Sequence, residues 1–159
     1  GSAKGSIQRT TVITSGSLLR LDAYSEIGPF RSDYFIDSID HEYCLRARKH
    51  GYLVTISCKP VMTHNIGITT GTQNKMTDIL RAPQHAVARK YYITRNTILT
   101  IKQYWGREIT WSLKQIFRLL FETSSIILFE KSKIEKLSAM KSGLLDGFRG
   151  KSGQGPLDQ

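Results

Sequence analysis

The chain has 159 residues, 40% of them apolar, and its 23 Lys/Arg against 13 Asp/Glu give a formal net charge of +10. That length supports one domain with a real core, and the composition excludes a disordered chain. No stretch reaches the ~18 uninterrupted apolar residues of a membrane span, and none reads as a secretory signal.

The charge is uneven. Residues 43–107 carry eleven Lys/Arg against the single acid Asp78, whereas the segments on either side are close to balance. Such concentration suits an anionic partner, either a phosphate-bearing substrate, an anionic lipid surface or nucleic acid, or else a solvated basic face. Cys44 and Cys58 form no Cys-x-x-Cys pair and are expected as free, reduced thiols.

Residues 1–9 read as a cloning scar or cut loop. From Ile7 to Leu21 the β-branched run Thr10-Thr11-Val12-Ile13-Thr14 and then Leu18-Leu19-Arg20-Leu21 predict extended chain. Ser15-Gly16 interrupts it, as a bulge or as a close approach for a ligand. Asp22 to Gly28 predicts a short helix, with Asp22 as cap and Gly28 as stop. Phe35-Ile36-Asp37-Ser38-Ile39-Asp40-His41-Glu42 places three carboxylates within six positions, and Arg46, Arg48 and Lys49 follow before Gly51. Acid first, base last and Gly as terminator predict a helix matched to its own dipole. The apolar neighbours of Asp37 and Asp40 make these carboxylates candidates for base work or cation binding.

Tyr52 to Cys58 predicts a strand ended by Lys59-Pro60. His64, between Thr63 and Asn65 and near Gly67, reads either as a site residue or as a core histidine. Residues 67–83 read as a mobile loop. His85 to Trp105 predicts a basic amphipathic helix with aromatics, the composition of an interfacial element. A second helix is predicted from about Trp111 to Leu137, apolar nearly all round and so buried in protein or in the bilayer boundary. The Gly-rich, cationic stretch from Gly143 to Gly153 predicts a loop, with disorder beyond it.

The ordered set Thr14-Ser15-Gly16-Ser17, Ile27-Gly28-Pro29-Phe30, Phe35-Ile36-Asp37-x-x-Asp40-x-Glu42-Tyr43-Cys44-Leu45-Arg46-Ala47-Arg48-x-x-Gly51-Tyr52 and His64-x-x-Gly67 resembles the acceptor-side half of family-two inverting glycosyltransferases. Tyr91-Tyr92-x-x-Arg95-Asn96 and Asp146-Gly147-Phe148-Arg149-Gly150-Lys151-Ser152-Gly153 resemble the bacterial rhamnosyltransferases of polysaccharide assembly among them.

The resemblance implies an α/β protein: the C-terminal part of a GT-A fold over residues 10–83, followed by amphipathic helices over 84–142 and a basic tail over 143–159. It implies a nucleotide-sugar donor such as dTDP-rhamnose, a divalent cation (Mg or Mn), and a glycan or lipid-diphosphate-linked acceptor. By the same resemblance Asp40 is the catalytic base, Glu42 orients acceptor or base, and His64 reaches the metal. Ser15, Gly16, Asp37 and Arg46 are assigned to substrate binding. The family's nucleotide-binding half, with its Asp-x-Asp motif, is expected ahead of this stretch, so the chain alone is expected to be inactive. Its expected place is the cytoplasmic face of the bacterial membrane. Two other readings are a nucleic-acid-binding module, from the cations and aromatics between Arg89 and Trp105, and a non-catalytic domain whose acids are only helix caps.

Overall fold

The computed structural model describes residues 5–59, 85–130 and 132–155, and these are mostly helical. His64, Pro60 and residues 67–83 lie outside the described residues, as does the end of the tail. A two-stranded antiparallel sheet joins β1 (Ser6–Gln8) to β2 (Thr55–Ser57), with Ile7 opposite Ile56. Both strands are shorter than the sequence predicts. Two strands alone bury no face, and here Ile7 and Ile56 both stay exposed.

The helices are α1 (Leu21–Ile27), α2 (Ile39–Lys49), α3 (His85–Tyr104), α4 (Ile109–Phe129) and α5 (Lys133–Arg149), with a 3-10 turn at Ser32–Tyr34. α1 ends at Gly28 as expected, but Arg20 rather than Asp22 occupies its cap position. α2 matches its predicted span; Gly51 follows it with φ of 87°. Tyr43 and Ala47 of α2 pack on Ala23 and Ile27 of α1. On its other side Leu45 meets Ile101 and Tyr104 of α3 and Trp111 of α4. A third cluster joins Ile98 of α3, Leu119 and Ile126 of α4, and Met140 of α5.

Three expectations are corrected. The single helix foreseen from Trp111 to Leu137 is two helices, parted between Phe129 and Lys133. The stretch from Gly143 foreseen as a loop is helical as far as Arg149. Its glycines are contact points rather than turn residues, since a Cβ on Gly143 would stand 2.4 Å from the Tyr91 carbonyl oxygen and one on Gly147 2.8 Å from Ile98 Cβ. The absence of side chains lets α5 lie directly on the Tyr91, Thr94, Arg95 and Ile98 face of α3.

α3 is also not an interfacial element. Tyr91, Tyr92 and Tyr104 are buried. Its cations are engaged internally: Arg89 with Asp37, Lys90 with Glu122, and Lys102 with the Phe148 carbonyl. Arg95 is buried beside the Tyr91 and Tyr92 rings, 5.4 and 4.9 Å from their centroids. The interleaved cations and aromatics that suggested a nucleic-acid surface are therefore used within the fold.

Candidate active site

The connection from the 3-10 turn into α2 is held in an uncommon backbone conformation. Phe35, Asp37 and Ser38 have φ of 64°, 63° and 64°, each at a cost of about 1 kcal/mol or more for a residue with a Cβ. Such a conformation persists only when its surroundings over-determine it, and here α3 supplies them. Asn96 Nδ2 donates to the carbonyls of Tyr34, Ile36 and Asp37 at 2.9, 2.7 and 3.0 Å. Arg95 Nη2 donates to the Tyr34 carbonyl at 3.1 Å, and the Tyr34 hydroxyl bonds to Thr100 Oγ1 at 3.0 Å.

The loop shapes one wall of an open cleft of about 410 Å³, lined by Thr14, Phe30, Asp37, Ser38, Ile39 and Asp40. Phe30 is held there by stacking on Tyr43, at 4.2 Å between centroids. Thr14 belongs to a turn closed by the Ser17 amide donating to the Thr14 carbonyl, with Gly16 at φ of 71°. Ser15 and Gly16 are exposed in that turn, next to the lining.

Two carboxylates share the cleft, and their states differ. Asp37 is bound by the fork of Arg89, with Nε 3.0 Å from Oδ2 and Nη2 3.0 Å from Oδ1. Among the described residues Asp40, in the first turn of α2, accepts only its neighbour's amide: His41 N lies 2.9 Å from Oδ1. Asp40 lines the cleft, and its Oδ2 has no hydrogen-bond partner among the described residues. His41 itself turns away from the cleft, its ring edge-on to Trp111 with centroids 6.2 Å apart, and burial pushes its pKa below the ordinary histidine value.

Glu42 and Arg46 lie behind α2 rather than in the lining. Glu42 is fully buried, accepting from Arg46 Nη2 at 3.0 Å and from the Tyr104 hydroxyl at 2.9 Å. Burial and the Glu42 carboxylate together push the Tyr104 hydroxyl far above its ordinary pKa. Arg46 also donates to the carbonyls of Ile27 and Pro29, at 3.1 and 2.8 Å, which fixes the Gly28-Pro29-Phe30 corner that carries Phe30 to the cleft. Cys44 is buried with Sγ 3.7 Å from the Val12 carbonyl, and burial raises its pKa; Cys58 is exposed and free. Asn96 and Arg95 hold the site's loop, although the sequence marked them only as part of a motif.

Among the described residues no group of three His, Cys, Asp or Glu side chains gathers that could hold a metal ion. Asp37 is committed to Arg89, and a single free carboxylate such as Asp40 makes no cation site.

The chain is similar to the dTDP-rhamnosyl transferase RfbF of Shigella flexneri, with 31% identity over 148 residues. The match takes in 92% of this chain and 48% of that protein, so the chain spans about half the length of the curated relative it matches. No family model matches the chain, and no solved structure matches it.

Proposed function

We propose that this chain is the acceptor-side half of an inverting rhamnosyltransferase of GT-A fold, with Asp40 as catalytic base. The observation that carries the assignment of Asp40 is its free Oδ2 at an open cleft, beside an Asp37 already neutralised by Arg89. Oδ2 takes the proton from an acceptor hydroxyl while that oxygen attacks the anomeric carbon of the donor sugar. The nucleoside diphosphate leaves from the opposite face, so one base suffices and the configuration inverts. Phe30 and Ile39 give the cleft apolar surface for a sugar's C–H face, and the turn at Ser15-Gly16 borders the same lining.

The relative's name supports dTDP-rhamnose as donor. The exposed apolar residues in and beside the two strands, among them Ile13, Leu18, Leu53 and Ile56, suit a further domain half that completes the sheet and holds the nucleotide. A divalent cation would belong to the donor diphosphate in that half; the described residues alone do not supply its ligands. The test is transfer of labelled rhamnose from dTDP-rhamnose by the intact enzyme to lipid-linked glycan in a membrane extract. Label left wholly in the donor, with extract active for a control transferase, rejects the assignment.

The same reading puts the enzyme at an anionic membrane surface, the cytoplasmic leaflet for an enzyme that consumes a nucleotide sugar. No helix among the described residues is long and apolar enough to cross a membrane. α4 instead buries one side against α3 and turns Leu113, Phe117, Leu120, Phe121 and Leu128 outward. Lys114 and Arg118 border that stripe without an ion-pair partner among the described residues, while the nearby acids Glu108 and Glu122 are neutralised inward by Arg48 and Lys90. An outward apolar stripe edged by unpaired cations complements acidic headgroups over acyl chains. Replacing Phe117 and Phe121 together by Glu is expected to lower co-flotation with phosphatidylglycerol vesicles about tenfold or more at 0.15 M salt. Unchanged flotation, or a wild-type chain that dimerises through this stripe instead of floating, rejects the membrane reading.

A further inference from the structure

Two motifs singled out in the sequence, Tyr91-Tyr92-x-x-Arg95-Asn96 and Asp146 to Gly153, take no part in the chemistry above, yet they meet in space. Arg95 Nε donates to Asn96 Oδ1 at 3.0 Å, and its Nη1 donates to the Gly153 carbonyl at 2.6 Å. The Gly153 amide returns a bond to the Asp33 carbonyl, and the Gly155 amide donates to the Tyr92 hydroxyl at 2.7 Å. At the other end of this segment Asp146 accepts from the Tyr91 hydroxyl and from Lys151 Nζ, both at 3.0 Å. Against the upward push of burial, the bonds from Lys151 and Tyr91 hold the Asp146 carboxyl below its ordinary pKa. The C-terminal strap is thus tied at both ends to the face of α3 that bears Arg95.

We propose that Asn96 is a positioning residue for the transfer reaction: locked by Arg95 and, through Arg95, by the strap, it holds Phe35, Asp37 and Ser38 left-handed and so aims the first turn of α2, with Asp40, into the cleft. The chemistry is specific. An amide bears two N–H hydrogens, and here they serve three carbonyls, on a backbone that turns through the positive φ of Phe35 and Asp37. The Asn96 oxygen is itself fixed by Arg95, so the amide cannot flip to present an acceptor to those carbonyls. Asn96 is fully buried and Arg95 nearly so, which removes water as a substitute donor. Among the described residues the Asn96 side chain hydrogen-bonds the lining only at the Asp37 carbonyl; it acts through the loop.

The inference rests on Asp40 being the base, and the test separates the two. In the intact enzyme, Asn96→Ala is expected to lower kcat about a hundredfold with the donor KM within a factor of about three, because the base is misplaced while the donor site is untouched. Adding Ser38→Gly is the discriminating step. Glycine adopts positive φ without a Cβ penalty, and Ser38 makes no side-chain capping bond to lose. The double variant is therefore expected to regain about fivefold or more of the lost kcat, a rescue that lost packing around Asn96 would not show. If Asn96→Ala does not accumulate folded, Asn96→Ser, with one short donor left, is read in the same way. An Asn96 variant with wild-type kcat overturns the inference, as does a loss that Ser38→Gly leaves unchanged. If Asp40→Asn is inactive in the same assays, the base assignment survives either failure; if Asp40→Asn is active, it falls independently.

Discussion

Asp40→Asn in the intact enzyme is expected to lower kcat by about a thousandfold or more, toward the upper part of what a positioned general base contributes. The amide keeps the shape of the carboxyl and can still accept the His41 amide at Oδ1, so the turn itself has no cause to move. What is lost is the basic Oδ2, the carboxylate oxygen without a hydrogen-bond partner among the described residues. The cost to stability is confined to the favourable charge near the α2 N-terminus, less than about 1 kcal/mol. Glu42 makes the contrast. Its carboxylate is shut in with Arg46 and Tyr104, so Glu42→Gln loosens a buried pair and shows first in the melting curve rather than in kcat. Near-normal turnover by Asp40→Asn would remove it as base. Loss of the folded signal together with activity would make its role structural.

The second large effect reverses a rule of helix propensity. Gly143→Ala lies inside α5, where an exposed position would gain about 1 kcal/mol from the substitution. Here the new methyl would stand 2.4 Å from the Tyr91 carbonyl oxygen, with the Arg95 amide nitrogen and Thr94 Cβ at 3.2 Å. Backbone cannot swing away as a flexible side chain would, so α5 must lift off α3. The expected cost is about 3 kcal/mol, seen as a melting temperature lower by about 6–12 °C for a chain of this size. Because the strap beyond α5 bonds Arg95, kcat falls with it even where the protein is still folded. A stability equal to or above wild type would mean that the two helices do not approach as closely as described.

The elements most legible in the sequence are those whose signals are local. The acids, bases and Gly51 around α2 predict its span, and Gly28 predicts the end of α1. The break between α4 and α5 also had a local signal, since Ser132-x-x-Glu135 spells a capping box after the apolar run, although Ser132 makes no side-chain capping bond. What stayed hidden depends on contacts distant in sequence. Gly143 and Gly147 carry the composition of a loop, and only the nearness of α3 turns them into a packing face. The buried polar run Thr94-Arg95-Asn96-Thr97 reads as helix surface until the carbonyls of residues 34–37, some sixty positions earlier, are brought to it. The stretches from Ile7 and from Tyr52 carry more β-branched sequence than the two strands of the described residues use.

In the candidate site, Asp37 and Asp40 were legible as partly buried carboxylates, but which of them is free was not. The Arg89 fork that neutralises Asp37 comes from a helix some fifty residues later. Glu42 and Arg46 were legible as charged residues of the same helix, and their direction was not, because helical phase alone leaves open which side of α2 faces Tyr104.

The measurement that bears most directly on the account is the anomeric configuration of rhamnose after transfer from dTDP-rhamnose by the intact enzyme, read from the one-bond C1–H1 coupling in the NMR spectrum of the purified product. A single base at Asp40 opposite the leaving diphosphate requires the configuration to be inverted relative to the donor. Retained configuration would require a second displacement or an attack from the leaving-group side, and would contradict the assignment of Asp40 as the base.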